Sequence, residues 1–144
     1  MKLLLLLFAF VLFDSASDPW TANEIVQPKT LADRLQANEK PPIFYVGFPV
    51  LYRDGAHVAG AALAGPCSKT EGLDALKKAV ASLPRDKELF LYCGCCPFVK
   101  CPNIRPAYTA LHDLGFTKVK VVMIETNLHT DWIEKGYPSE KTSQ

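Results

Sequence analysis

The spacing of hydrophobic positions changes from segment to segment along the 144 residues, and the changes outline an alternating chain. In KTLADRLQAN, Leu31 and Leu35 lie one turn apart with Ala32 beside them, which predicts a short amphipathic helix. PPIFYVGF is an apolar run rich in β-formers and opened by prolines, so a buried strand is expected over Ile43–Val46. TEGLDALKKAVASL repeats Leu73, Leu76, Val80 and Leu83 at helical spacing, with Thr70 as the expected N-cap and Pro84 as the stop. ELFLYC and KVKVVMI predict two further strands. Between them, IRPAYTALHDLGF turns Ala107, Ala110, Leu111 and Leu114 to one face, and Gly115 ends the helix. HTDWIEKGYP reads as a last short helix closed by Gly136 and Pro138.

Strands alternating with helices predict an α/β fold, a small parallel sheet flanked by helices on both faces. Ligands of such sheets sit at the carboxyl ends of the strands, where helices begin. No internal repeat or long linker interrupts the series.

The N-terminus departs from this pattern. Lys2 precedes an unbroken apolar run, Leu3 to Phe13, followed by the small residues Ser15, Ala16 and Ser17. That order is expected of an export signal over residues 1–17, and the run is too short to span a bilayer, which takes about 20 residues. The expected organisation is then a short N-terminal segment over 18–24, one domain over 25–140 and a tail over 141–144. The mature protein is expected to be exported, periplasmic or secreted, with no membrane association after cleavage. A net charge of +1 with interspersed signs gives no basis for binding nucleic acid.

Export bears on the cysteines, because disulfides persist outside the cytosol. Cys93, Cys95, Cys96 and Cys101 crowd into nine positions at a strand–loop–helix junction, and Cys67 lies upstream. Between Leu89 and Leu111 the only charged residues are Lys100 and Arg105. Three readings follow. In the first, Cys93 at the strand end is a nucleophile with a lowered pKa, because cations and a helix N-terminus favour the thiolate. Gly94 lets the loop curl, and Lys100, Arg105 and backbone N–H groups form the anion cradle. In the second, Cys93, Cys95, Cys96 and Cys101 bind a metal such as zinc, although the spacing lacks separated paired knuckles. In the third, Cys67 bridges to the loop or loop cysteines bridge each other, Cys95 with Cys96 being the most strained choice. The odd number leaves one thiol unpaired, so the third reading is compatible with the first.

Several segments resemble the rhodanese-like domain family over roughly Ile25 to Pro138. YRDGAHVAGA is similar to that family's G-H-I-P-G-A, with His57, Gly60 and Ala61 in place. LFLYC resembles the strand that ends in the family's nucleophile, which puts that role on Cys93. IRPAYTALHDLGFTKVKVV resembles the helix and strand after the active loop, with Arg105 at the family's arginine, and DWIEKGYP resembles its closing W…G-Y-P. The departures are specific. Arg105 follows Cys93 by twelve positions rather than about six, and the extra residues hold Cys95, Cys96 and Cys101. Tyr45 and Gly47 replace the Asp and Arg of I-D-x-R, and Glu125 to Asn127 replaces a Gly-Gly.

The resemblance implies sulfur transfer or thiol-redox chemistry through a persulfide or thiolate on Cys93, with Cys67, Cys95, Cys96 and Cys101 as resolving or bridging thiols. It implies no resident cofactor, and as partner a small sulfur-containing anion or a protein thiol or persulfide. The departures count against thiosulfate-to-cyanide activity. The competing expectation is a non-catalytic module whose cysteine loop is held by disulfides or metal and serves stability or partner binding. His57 is expected to be structural, His112 and His129 to lie on the surface, and Trp132 and Tyr137 to be core and cap residues.

Overall fold

The computed structural model describes residues 17–142. The apolar run and most of the expected export signal lie outside the described residues.

Among the described residues, the α-helices and strands run in the order β1 (Ile25–Val26), α1 (Pro28–Gln36), β2 (Ile43–Tyr45), α2 (Pro49–Asp54), β3 (Ala56–Val58), β4 (Ala61–Leu63), α3 (Thr70–Ala79), β5 (Leu89–Tyr92), α4 (Ile104–Asp113), β6 (Val119–Val122) and β7 (Ser139–Lys141). The sheet has the order β1-β6-β5-β2-β4 with every pair parallel. β3 and β7 form a separate antiparallel pair.

A parallel sheet is buried on both faces, so its strands are largely apolar, Lys120 of β6 excepted, and alternate residues serve two cores. Phe44, Leu89, Leu91, Val119 and Val121 face one side, where Leu76 of α3 and Ile104, Ala107 and Leu111 of α4 cover them. Ile43, Tyr45, Phe90, Tyr92 and Val122 face the other, covered by Leu31 and Ala32 of α1 and by Trp132. Helices on both faces of a five-stranded parallel sheet agree with the expected architecture.

The differences from expectation are local. Thr70 is the first helical residue of α3 rather than its cap; Lys69 holds the N-cap position, without a side-chain hydrogen bond. That helix ends at Ala79, short of Pro84, because Val80 N–H donates to Leu76 O and Ala81 N–H to Lys78 O, which closes it. In place of a regular last helix, residues His129–Ile133 make a π-helical turn. The fold also extends beyond 25–140. Trp20 is buried against the rings of Phe98 (5.5 Å) and Tyr108 (5.6 Å), and Lys141 pairs with Ala56 in β7.

Candidate functional site

β5 is the central strand, and the residue after it is Cys93, so the parallel topology delivers this thiol to the carboxyl edge of the sheet. The loop then reverses at Gly94, whose φ of +69° is a conformation that side chains resist. A Cβ there would also lie 2.8 Å from the Cβ of Leu128. Two backbone hydrogen bonds tie the loop to the segment after β6: Leu128 N–H donates to Gly94 O (3.0 Å) and Phe98 N–H to Glu125 O (3.1 Å). The Glu125–Asn127 departure from the resembled pattern thus occurs where the longer loop is anchored.

The loop gathers three sulfurs. The Sγ atoms of Cys93, Cys95 and Cys101 lie within 4.8 Å of one another, Cys93 and Cys95 being 3.2 Å apart. Cys96 stands outside this triangle with its Sγ 2.9 Å from that of Cys95. All five cysteines are free thiols in this structure. Cys67 is not in the loop cluster: it is fully buried, and its thiol donates to Ala64 O at 3.1 Å. Burial, with a smaller contribution from Cys101, pushes its pKa up to about 12.

Charge is distributed differently from the expectation of a lowered Cys93. Hydrogen bonding to Cys101 raises the Cys93 thiol. Cys101 is the group held low, by hydrogen bonds from Cys93 and Cys95 and then from the backbone N–H groups of Asn103 and Ile104 at the start of α4. The helix N-terminus therefore acts on the thiol beside it rather than on the one at the strand end.

The two cations do not reach the cluster as expected. Arg105 turns away, giving Nε and Nη2 to Asp18 Oδ1 at 2.8 and 2.7 Å and lying 5.3 Å over the Trp20 ring. Lys100 is exposed beside the short helical turn Phe98–Lys100. Instead, Asn103 addresses Cys93, with Nδ2 3.6 Å from Sγ. Gly47 completes the wall behind the nucleophile: a Cβ on it would lie 2.9 Å from Cys93 Sγ and 2.6 Å from the Tyr45 hydroxyl. No side chain fits where the resembled pattern carries Arg.

Cys93, Gly94 and Cys95 open onto a cavity of about 310 Å³. Tyr45, Tyr52, His57, Asn127, Leu128 and His129 are among its walls, and among the described residues no Lys or Arg lines it. His57 is buried and stacked on Tyr52 with ring centroids 3.8 Å apart, and among the described residues its Nδ1 has no hydrogen-bond partner. His129 is exposed as expected but also lines this cavity, 3.2 Å from Glu134. His112 is exposed, and Trp132 is buried with Tyr137 edge-on at 5.3 Å. A cavity of about 610 Å³ near Leu35, Ile43 and Gly60 has neither cysteine nor histidine in its walls.

Sequence reasoning missed Asn103, Tyr52 and the site role of His129. Asn103 had a local signal, a polar residue just before a helix inside the cysteine stretch. Tyr52 and His129 reach the cavity only through tertiary packing.

No protein-family model and no curated protein sequence matches the chain. Sixteen chains of solved structures resemble it, and three illustrate the likeness. The rhodanese-like domain of the Alr3790 protein from Anabaena sp. superposes with a TM-score of 0.61 at 21% identity, over 82% of this chain and 79% of that one. The polysulfide-sulfur transferase homodimer of Wolinella succinogenes gives 0.54 at 19% identity, over 83% and 80%. A thiosulfate sulfurtransferase from Pseudomonas aeruginosa gives 0.59 at 24% identity, over 82% of this chain but 19% of that longer one. With the parallel sheet, the helices on both faces and the strand-end cysteine, these likenesses establish that the chain has the rhodanese-like fold.

Proposed function

We propose that this protein moves sulfane sulfur between thiols, carrying it as a persulfide on Cys93. The observation that carries the reading is that Cys93 ends the central strand and lines the cavity with Cys95 Sγ only 3.2 Å away. Cys93 gives up its proton to solvent through the cavity and, as thiolate, attacks the outer sulfur of a donor persulfide, forming a Cys93–S–SH persulfide and releasing the donor thiolate. An acceptor thiolate then takes that outer sulfur and returns Cys93 as thiolate. In the absence of acceptor, Cys95 thiolate attacks the Cys93 sulfur, closing a Cys93–Cys95 disulfide and expelling hydrosulfide.

The walls favour a thiol or persulfide over thiosulfate. Arg105 is engaged by Asp18, and among the described residues the cavity has no Lys or Arg to balance a dianion. Two relatives in fold are a polysulfide-sulfur transferase and a thiosulfate sulfurtransferase, and sulfur transfer by this chain is consistent with the first kind of donor. Residues 1–17 are proposed as an export signal, to be checked by N-terminal sequencing of fractionated protein.

The test is a transfer assay with a low-molecular-weight persulfide as donor and a thiol as acceptor. Cys93→Ser is expected to abolish turnover while Cys67→Ser preserves it. Turnover retained in Cys93→Ser would exclude the mechanism, as would thiosulfate used faster than the persulfide.

A further inference from the structure

The same loop is built around a triangle of sulfurs that nothing in sulfur transfer requires, because Cys101 does not line the cavity. Three sulfurs bound to one ion at about 2.3 Å in a plane stand about 4.0 Å apart, and at tetrahedral angles about 3.8 Å. The Cys93–Cys95 edge, at 3.2 Å, opens by less than an ångström to reach that spacing, and the edges to Cys101, no longer than 4.8 Å, close by less than an ångström.

The donor set is all sulfur. Among the described residues, no histidine or carboxylate belongs to the cluster. Thiolates select soft ions, and a three-coordinate site suits a monovalent d¹⁰ ion better than zinc, which takes four ligands. Cys96, the only further thiol in the loop, lies outside the triangle.

The surroundings fit such a centre. Each sulfur binds as thiolate, so loading releases to solvent the protons the thiols still hold and leaves the centre doubly negative. Asn103 Nδ2, 3.6 Å from Cys93 Sγ, stands ready against that charge. Hydrogen bonds to metal-bound ligands of this kind commonly set affinity. Cys93 and Cys101 are each only 4% exposed and pack in the same core as Phe98 and Ile104, which limits water at the site.

We infer that Cys93, Cys95 and Cys101 form a trigonal thiolate site for a soft monovalent cation of the Cu(I) type. The inference does not rest on the sulfur-transfer reading. It uses Cys101, which that reading leaves idle, and a loaded centre occupies Cys93, so metal and persulfide exclude each other.

The experiment is an anaerobic titration of the reduced full chain with Cu(I) against a chromophoric Cu(I) chelator, followed by X-ray absorption. One ion per chain held against the chelator, with three sulfur neighbours, is the expected result. Cys101→Ser and the half-buried Cys95→Ser should each weaken binding by about 100-fold or more, since even outer partners change metal affinity by about 10–100-fold. Cys96→Ser and Cys67→Ser should bind as the parent does, and circular dichroism should show all four variants folded. Affinity unchanged in both Cys101→Ser and Cys95→Ser would overturn the assignment. So would failure of the parent to compete with the chelator, or a four-sulfur zinc centre that needs Cys96.

Discussion

Asn103 joins two segments through one side chain: its Nδ2 stands 3.6 Å from Cys93 Sγ while its Oδ1 accepts the Ser68 N–H at 2.9 Å. The residue is fully buried, so neither end has water as a substitute. It is a positioning residue for the nucleophile. A hydrogen bond to a charged group is worth about 1.5–3 kcal/mol. Asn103→Leu should therefore slow iodoacetamide labelling of Cys93 by about 10- to 100-fold. Labelling of Cys96, which Asn103 does not touch, should be unchanged. Equal slowing at both cysteines would reduce Asn103 to a structural role.

Arg105 gives the opposite expectation. Its guanidinium is committed to Asp18 and the Trp20 face, on a partly exposed surface. Exposed ion pairs and cation–π contacts contribute about 1 kcal/mol or less each. Arg105→Ala should lower stability by about 1 kcal/mol in urea denaturation and leave the sulfur-transfer rate unchanged. A tenfold fall in rate would return Arg105 to the substrate.

Gly47 should tolerate nothing larger. A Cβ at this position meets Cys93 Sγ at 2.9 Å and the Tyr45 hydroxyl at 2.6 Å, and the Tyr45 ring is held in the second core. Gly47→Ala must displace one of them, so Cys93 reactivity should fall together with a loss of about 1–3 kcal/mol from overpacking. Parent-like Cys93 labelling in a variant of parent stability would show that this wall yields freely.

These three residues mark what the sequence could and could not show. α1, α3 and α4 were legible because each has an apolar stripe at helical spacing, and β2, β5 and β6 because β-formers run together between polar stretches. β1, β3, β4 and β7 have two or three residues each, too few for any period to emerge. Cys93 was legible from its place after a strand. The direction of Arg105 was not, because Asp18 and Trp20 fix it from a segment 85 or more positions away. Nor was the hydrogen bonding around Cys101, which depends on how Asn103 and Ile104 aim their N–H groups.

Acid sensitivity should appear on the far side of α4. Partial burial raises the Glu24 carboxyl, but hydrogen bonds from Thr21 N–H, the Tyr108 hydroxyl and the Thr21 hydroxyl, with Lys120 nearby, outweigh it and leave the pKa below its ordinary value. A carboxylate depressed in the folded state stabilises fully above its unfolded pKa, and that contribution is lost as pH falls through the folded value. The window lies below about pH 4.5. Trp20 packs edge-on against Tyr108 at 5.6 Å, so its fluorescence reports the region. Acid unfolding followed there should be less steep in Glu24→Gln than in the parent. Identical acid limbs would remove Glu24 from the transition.

The most direct measurement is mass spectrometry of the peptide containing Cys93 after the reduced protein meets a persulfide donor without acceptor. In Cys95→Ser, which removes the thiol 3.2 Å from Cys93, one added sulfur should accumulate on Cys93. The parent should instead show a Cys93–Cys95 disulfide and released hydrosulfide. Folded Cys95→Ser protein with no added sulfur on Cys93, or with the sulfur on Cys96 alone, would contradict Cys93 as the carrier.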